Sequence, residues 1–135
     1  MIEHTIKIEA PPEVVWRFFT DPARMARWLG PADLDPVPGG ELMFQLSDGP
    51  RPVVRGRFIE LRPYEKIVFT FGWDPTPGVP DLPSGSSQVE VTLSAQAGGT
   101  LLTLHHTNVP PDLVVNTHTG WAGFLGNLEA EAPNA

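Results

Sequence analysis

Residues 11–31 of the chain, PPEVVWRFFTDPARMARWLGP, encode two short helices in immediate succession. A proline pair precedes the first helix, and its apolar side chains recur at the spacing of one helix face: Val14, Val15, Phe18 and Phe19. One strand-like stretch lies before this helix pair, several strand-like stretches follow it, and a final helical stretch comes near the end of the chain. This order of elements is rare enough to indicate one particular fold.

The second of the two helices has its own start signal at Asp21-Pro22. Aspartate is a favoured N-cap residue, and proline is tolerated at the first helical position because the N–H that it lacks would be unpaired there. Met25, Trp28 and Leu29 then fall at i, i+3 and i+4, which predicts one apolar face of a short helix.

Length and composition limit the class of protein. The 135 residues are predicted to form one domain, residues 1–135, which buries about two thirds of the surface of its unfolded chain. The chain contains no cysteine, which excludes disulfides, thiolate metal sites and cysteine nucleophiles. No secretory signal is visible, and no apolar run approaches the roughly 20 residues of a membrane span. A cytoplasmic protein without a membrane span is therefore expected.

The charge balance argues against nucleic acid as a partner. The formal net charge is −7, from 16 acidic and 9 basic residues, and a surface of that sign repels phosphates. Arg55 and Arg57 belong to the one visible cluster of arginines, but they alternate along a predicted strand. We therefore expect them on the solvent-facing side of a sheet rather than in an anion site.

Alternating apolar residues predict six strands, at residues 5–9, 42–46, 53–61, 67–73, 89–93 and 102–106. Turns at residues 47–50 and at Gly98-Gly99 predict antiparallel hairpins. Gly56 interrupts its strand and is interpreted as a bulge or a point of close backbone approach. Residues 31–40 are predicted to be loop. Residues 74–87 form the longest predicted loop, and loops of this length are usually functional or mobile.

A last helix is predicted from Trp121, Leu125 and Leu128, which lie at i, i+4 and i+7. Three glycines within it each cost about 1 kcal/mol relative to alanine, so this helix is predicted to be short and held by packing rather than by propensity. We expect these glycines to form a strip of small residues that lets a sheet or a ligand approach closely: Gly120, Gly123 and Gly126.

A series of short motifs runs through nearly the whole chain: Val15-Trp16, Thr20-Asp21-Pro22, Arg27-Trp28, Gly30-Pro31, Gly39-Gly40, Gly56, Pro63, residues 66–70 (KIVFT), residues 99–104 (GTLLTL), His118, Gly120-Trp121 and Phe124-Leu125. In this order they resemble the activator-of-heat-shock-ATPase homologue family (AHSA-type), part of the START-related, helix-grip SRPBCC superfamily. The resemblance implies an α+β helix-grip fold, in which a curved antiparallel sheet of about six strands surrounds a C-terminal helix and two short helices follow strand one. It also implies an apolar cavity between sheet and helix.

A curved sheet that faces one helix must either fill its concave side with side chains or leave space. Large aromatic residues on that side favour a site for flat or apolar molecules, whereas the alternative is a solid core. The predicted inward set contains Leu42 and Val91, and the residues predicted to line the cavity are Met25, Trp28, Phe44, Phe58, Phe69, Phe71, Trp73, Leu102, Leu104, His106, Trp121 and Leu125.

Histidine supplies the weak candidates for catalysis. His105 and His106 are neighbours on a strand, so they point to opposite faces and cannot bind one metal ion. By alternation His106 faces inward, where it could act as a general acid/base or orient a ligand carbonyl. The alternative is a core histidine satisfied by a neighbouring hydroxyl or backbone group. His118 is placed near the cavity mouth. No metal site and no cofactor are expected.

Three functions are compatible with these features. The favoured one is binding of an apolar small molecule, whether aromatic, polyketide-like or acyl. The second is a cyclase- or hydrolase-like enzyme that uses His106 or His118, although no catalytic constellation is visible. The third, implied by the family's name, is a chaperone-associated stress protein that acts through protein contacts. A homodimer is compatible with the mildly polar outer face predicted for the sheet, with Val68, Thr70, Thr92 and Thr103.

Overall fold

The computed structural model of the protein describes residues 1–45 and 52–134. Within these residues seven strands form one antiparallel sheet in the order β1-β7-β6-β5-β4-β3-β2. The elements in chain order are β1 (Ile2–Ile8), α1 (Pro12–Thr20), α2 (Pro22–Met25), β2 (Ala32–Leu34), β3 (Glu41–Gln45), β4 (Val53–Arg62), β5 (Lys66–Trp73), β6 (Ser87–Gln96), β7 (Gly99–Thr107) and α3 (Val114–Glu131). The fold is the expected α+β arrangement of a curved sheet and a C-terminal helix.

The sheet has one strand more than the six that were predicted. Strand β2 lies inside the segment 31–40 that was predicted to be loop, and Ala32 and Leu34 pair with Phe44 and Leu42 of β3. Three residues are too few to show a periodicity in sequence, and the strand forms because the edge of β3 supplies hydrogen-bond partners. The turn predicted at residues 47–50 and the end of its strand at Leu46 lie outside the described residues.

The N-cap predicted at Asp21 is confirmed, since its carboxylate accepts a hydrogen bond from the backbone N–H of Ala23 at 3.1 Å. Helix α2 is shorter than the apolar spacing suggested and ends at Met25. Trp28 and Leu29 follow in a turn whose backbone N–H groups still donate to the Met25 carbonyl, at 3.2 and 2.9 Å. All three side chains are buried.

Helix α3 has 18 residues, so the prediction of a short last helix is wrong. Trp121, Leu125 and Leu128 are its buried residues, as predicted. Gly123 and Gly126 are exposed, which corrects the expected strip of small residues facing the sheet. At 3.6 residues per turn both lie on the side of the helix opposite to Trp121. In the described part of the chain, no helix combines the length and hydropathy that crossing a membrane requires.

Contacts at the C-terminal end of α3 help to hold this helix of poor intrinsic propensity in place. The guanidinium of Arg27 pairs with the carboxylate of Glu131 at 2.9 Å, and it also donates to the backbone carbonyls of Glu131 and Asn134 at 3.3 Å. The same guanidinium lies over the ring of Phe18, 5.2 Å from its centroid. The turn after α2 therefore anchors the end of α3 beside α1.

The alternation of the strands assigns side chains to faces as predicted. Leu102, Leu104 and His106 of β7 are all fully buried, and Arg55 and Arg57 of β4 are exposed. A Cβ on Gly56 would lie 1.9 Å from the carbonyl oxygen of Thr70 on β5, which confirms a close backbone approach at Gly56. The register shift of this strand pair lies a little farther along β4, between residues 58 and 60.

The outer face of the sheet is more charged than the sequence suggested. Val68 pairs with Glu60 on one side and Glu90 on the other. The ammonium group of Lys66 lies 3.8 and 3.3 Å from the carboxylates of these two glutamates. Val68 lies between these charged groups and is only 4% exposed.

The exposed glycines of α3 give a test of this packing. A Cβ on Gly123 meets no atom within 4 Å, so Gly123→Ala should raise the free energy of unfolding by about 1 kcal/mol, because alanine has the higher helix propensity. Gly56→Ala is the contrasting variant and should destabilise the protein, since its Cβ would clash with β5. Urea denaturation measures both changes. A loss of stability in Gly123→Ala would contradict the exposed position of this glycine.

Candidate ligand cavity

A cavity of about 260 Å³ lies between the N-terminal half of α3, strands β3 and β5, and the loop of residues 74–83. Most of its lining side chains are apolar and five of them are aromatic. The lining residues are Leu29, Phe44, Pro52, Phe71, Trp73, Val79, Pro80, Leu113, Asn116, Thr117, Gly120, Trp121 and Phe124.

Phe71 of β5 is the centre of the aromatic wall. Its ring centroid lies 5.8 Å from that of Trp121 and 6.3 Å from those of Phe44 and Trp73. The interplanar angles are 47°, 54° and 80° respectively. These are the tilted and edge-to-face arrangements that aromatic pairs prefer, so the wall is a packed aromatic cluster.

Strand register brings this wall together. Phe44 pairs with Val54, and Val54 pairs with Trp73, so one row across three strands carries Phe44 and Trp73. Phe71 and Trp73 share a face of β5 because side chains two residues apart on a strand point the same way. Residues distant in sequence therefore meet at one end of the concave face.

The loop of residues 74–83 forms the outer wall of the cavity through Val79 and Pro80. The indole N–H of Trp73 donates to the carbonyl of Pro80 at 3.0 Å, and the backbone N–H of Trp73 donates to the carbonyl of Leu82 at 2.7 Å. The side chain of Leu82 is buried in the core. The loop is thus bound to β5 and contributes to the cavity wall.

The start of this loop is also held by charge. The guanidinium of Arg55 on β4 lies 2.9 Å from the carboxylate of Asp74. The backbone N–H of Asp74 donates to the carbonyl of Val53 at 3.0 Å. Both groups of the ion pair are about half exposed, so they position the loop more than they stabilise the fold.

Four of the residues predicted to line a cavity do so: Phe44, Phe71, Trp73 and Trp121. The others are buried and do not line the cavity: Met25, Trp28, Phe58, Phe69, Leu102, Leu104, His106 and Leu125. The reason is that the aromatic residues of the helix pair fill that part of the concave face. Trp28 packs edge-on against Phe19, with ring centroids 5.0 Å apart. Its indole N–H donates to the carbonyl of Phe18 at 2.8 Å. The solid-core alternative is thus correct for one end of the fold, and the cavity occupies the other.

Of the remaining lining residues, Gly120 belongs to the glycine strip that was expected to let a ligand approach, and the others were missed at the level of sequence. On α3, Thr117 and Phe124 share with Gly120 and Trp121 the i, i+3, i+4 and i+7 spacing of one helix face, a signal that could have found them. The loop residues, Val79 and Pro80 among them, belong to no periodic pattern. Their contribution depends on how the loop folds back over β5.

His106 is a core histidine with both ring nitrogens engaged. Its Nδ1 accepts a hydrogen bond from the indole N–H of Trp121 at 3.0 Å, and its Nε2 lies 2.9 Å from the hydroxyl of Ser87. Because that hydroxyl donates to the carbonyl of Phe71 at 2.6 Å, we assign the proton of the neutral imidazole to Nε2, which donates to Ser87. Burial lowers the pKa of His106 to about 4, so the ring is neutral at pH 7.

His118, which was expected to approach the cavity mouth, is exposed and is not among the lining residues. Its ring stacks on that of His4 with centroids 4.2 Å apart, and the Nε2–H of His4 donates to the His118 carbonyl at 3.0 Å. Adjacent residues on a helix point about 100° apart, so His118 faces β1 whereas Thr117 faces the cavity. His105 pairs with Glu3 on the opposite face of the sheet from His106. Over residues 1–45 and 52–134, no three potential metal ligands cluster.

The architecture and the sequence both match a known family. The family model described as "Activator of Hsp90 ATPase homolog 1-like protein" matches residues 9–132. The chain belongs to this family. No curated protein sequence matches the chain.

Solved structures place this AHSA1-like chain among proteins of the same fold. An AHSA1-like protein from Rhizobium etli is 37% identical, with a TM-score of 0.72 over 97% of this chain and 80% of the other. CalU16 from Micromonospora echinospora is 27% identical, with a TM-score of 0.77 over 96% of this chain and 74% of its own. DynU16, a protein of the dynemicin biosynthetic locus, shares the fold at 23% identity and a TM-score of 0.77, over 96% of this chain and 46% of its own.

The buried imidazole predicts a pH dependence of stability. The pKa of His106 is lowered from 6.5 to about 4 in the folded protein, so between these values the unfolded chain binds more protons than the folded one. The neutral His106 side chain therefore contributes about 3 kcal/mol to the free energy of unfolding. This contribution is fully present above pH 6.5 and is lost as the pH falls towards 4. The measurement is urea denaturation of the wild type and of His106→Gln from pH 7 to pH 4.

In His106→Gln this part of the pH dependence should be missing, because glutamine does not titrate. His118→Gln removes an exposed imidazole from α3 and controls for the loss of a histidine as such. An equal loss of stability with falling pH in the wild type and in His106→Gln would contradict the prediction.

Proposed function

We propose that this AHSA1-like protein binds a small, largely apolar aromatic molecule in the cavity between α3, β5 and the loop of residues 74–83. The observation that carries the proposal is the unfilled space of about 260 Å³ beside the cluster of Phe44, Phe71, Trp73 and Trp121. Aromatic side chains around a cavity offer ring faces and edges on which a flat molecule can stack.

The volume favours a compact ligand. An apolar cavity of about 150 Å³ in another protein holds benzene, so 260 Å³ is enough for about two fused rings. A long acyl chain or a polyketide of many rings needs a larger space, because drug-sized ligands occupy pockets of about 300–1,000 Å³. A small aromatic ligand therefore fits better than the other two classes considered from sequence.

Binding is supported better than acid/base catalysis by histidine. His106 lies behind the cavity wall, and both of its nitrogens are occupied by Trp121 and Ser87. Its lowered pKa further reduces its capacity to accept a proton near neutrality. His118 is on another face of α3.

Glycines of α3 supply a matched test. Gly120 lines the cavity and a Cβ there meets no atom within 4 Å, so Gly120→Leu should place a side chain in the ligand space. Gly126→Leu has equally open surroundings but lies on the exposed side of the same helix. Both variants gain helix propensity, so a difference between them reports the cavity.

We expect benzene, indole or naphthalene to bind the wild type, with a stabilisation of about 2.7 kcal/mol when the free ligand is at 100 times its Kd. Gly120→Leu should weaken binding at least tenfold, and Gly126→Leu should bind as the wild type does. Thermal unfolding and isothermal titration calorimetry measure both effects. Absence of binding by all three aromatics, or equal binding by the two variants, would contradict the proposal.

A further inference from the structure

We propose that the cavity selects aromatic molecules carrying one neutral hydrogen-bonding group, such as a hydroxyl, a carbonyl or an amide, and that Asn116 and Thr117 recognise this group. The inference rests on the proposed function and specifies its ligand.

The polar side chains are confined to one place in the cavity wall. Among the described lining residues, only Asn116 and Thr117 have polar side chains apart from the indole groups. They are neighbours in the first turn of α3, where Asn116 is exposed and Thr117 is half-buried. They therefore mark the end of the cavity that meets solvent.

Both side chains are available to a ligand. Within residues 1–45 and 52–134, neither the amide of Asn116 nor the hydroxyl of Thr117 has a hydrogen-bond partner. An amide and a hydroxyl can each donate and accept, so the pair suits a ligand hydroxyl as well as a carbonyl. Neither offers a charge.

The indole N–H groups of the wall are already used. Trp73 donates to the carbonyl of Pro80, and Trp121 donates to Nδ1 of His106. A polar ligand group placed deep in the cavity would thus meet carbon atoms and lose its hydrogen bonds to water without replacement. The ring of the ligand should face Phe71, and its polar group should face the first turn of α3.

Charge gives a second criterion. The lining side chains in the described ranges are uncharged, so a carboxylate on the ligand would lose hydration without meeting a cation. A neutral phenol should consequently bind more tightly than the corresponding carboxylate. This distinguishes the proposed ligand class from aromatic acids.

The test compares naphthalene, 2-naphthol and 2-naphthoate by isothermal titration calorimetry on the wild type and on the double variant Asn116→Leu/Thr117→Val. The quantity of interest is the ratio of the Kd of naphthalene to the Kd of 2-naphthol. The hydration of the two ligands cancels when this ratio is compared between proteins. Thr119→Val is the control, because Thr119 lies on the same helix outside the cavity and its hydroxyl donates to the Val115 carbonyl.

We expect the ratio to fall about five- to tenfold in the double variant, as for the loss of one neutral hydrogen bond, and to stay unchanged in Thr119→Val. Retained affinity for naphthalene in the double variant shows that it is folded. In the wild type, 2-naphthol should bind more tightly than 2-naphthoate.

An unchanged ratio in the double variant, or tighter binding of 2-naphthoate, would overturn this inference while naphthalene binding keeps the proposed function intact. If none of the three compounds binds the wild type, the proposed function fails and this inference fails with it.

Discussion

The hydrogen bond from the indole of Trp121 to Nδ1 of His106 connects the C-terminal helix to the sheet. Both side chains are almost fully buried, and the chain of bonds continues through Ser87 to the carbonyl of Phe71. A buried donor or acceptor without a partner costs about 1–3 kcal/mol, so helix and sheet are held in the one arrangement that satisfies all of these groups. Because Trp121 and Phe71 are also two sides of the cavity, the same network sets its shape.

The concave face of the sheet is divided between two kinds of packing. At one end, the helix pair contributes Phe18, Phe19 and Trp28, which fill the space as a close-packed core. At the other end, α3 presents Gly120 at the position where a larger side chain would occupy the cavity. A close-packed core and a cavity therefore lie side by side under one sheet. The loop of residues 74–83 forms the outer wall of the cavity.

Much of the fold could be predicted because its elements have strong local signals. The N-cap at Asp21 and the alternation that buries Leu102, Leu104 and His106 depend on short-range geometry, and the structure confirms them. The length of α3 was underestimated because glycine lowers intrinsic propensity. Packing through residues such as Trp121 and the contacts of Arg27 at its end outweigh that loss.

The candidate site shows where local signals end. Periodicity in the sequence established that aromatic residues such as Phe71 and Phe69 point inward, and the absence of cysteine excluded thiol chemistry. It could not distinguish Phe71, which lines the cavity, from Phe69, which packs in the core, because periodicity specifies the face of a residue and not its depth along the sheet. The outer wall formed by Val79 and Pro80 depended on tertiary structure alone, since the course of that loop follows from the hydrogen bonds of Trp73 to Pro80 and Leu82 and from the burial of Leu82 in the core.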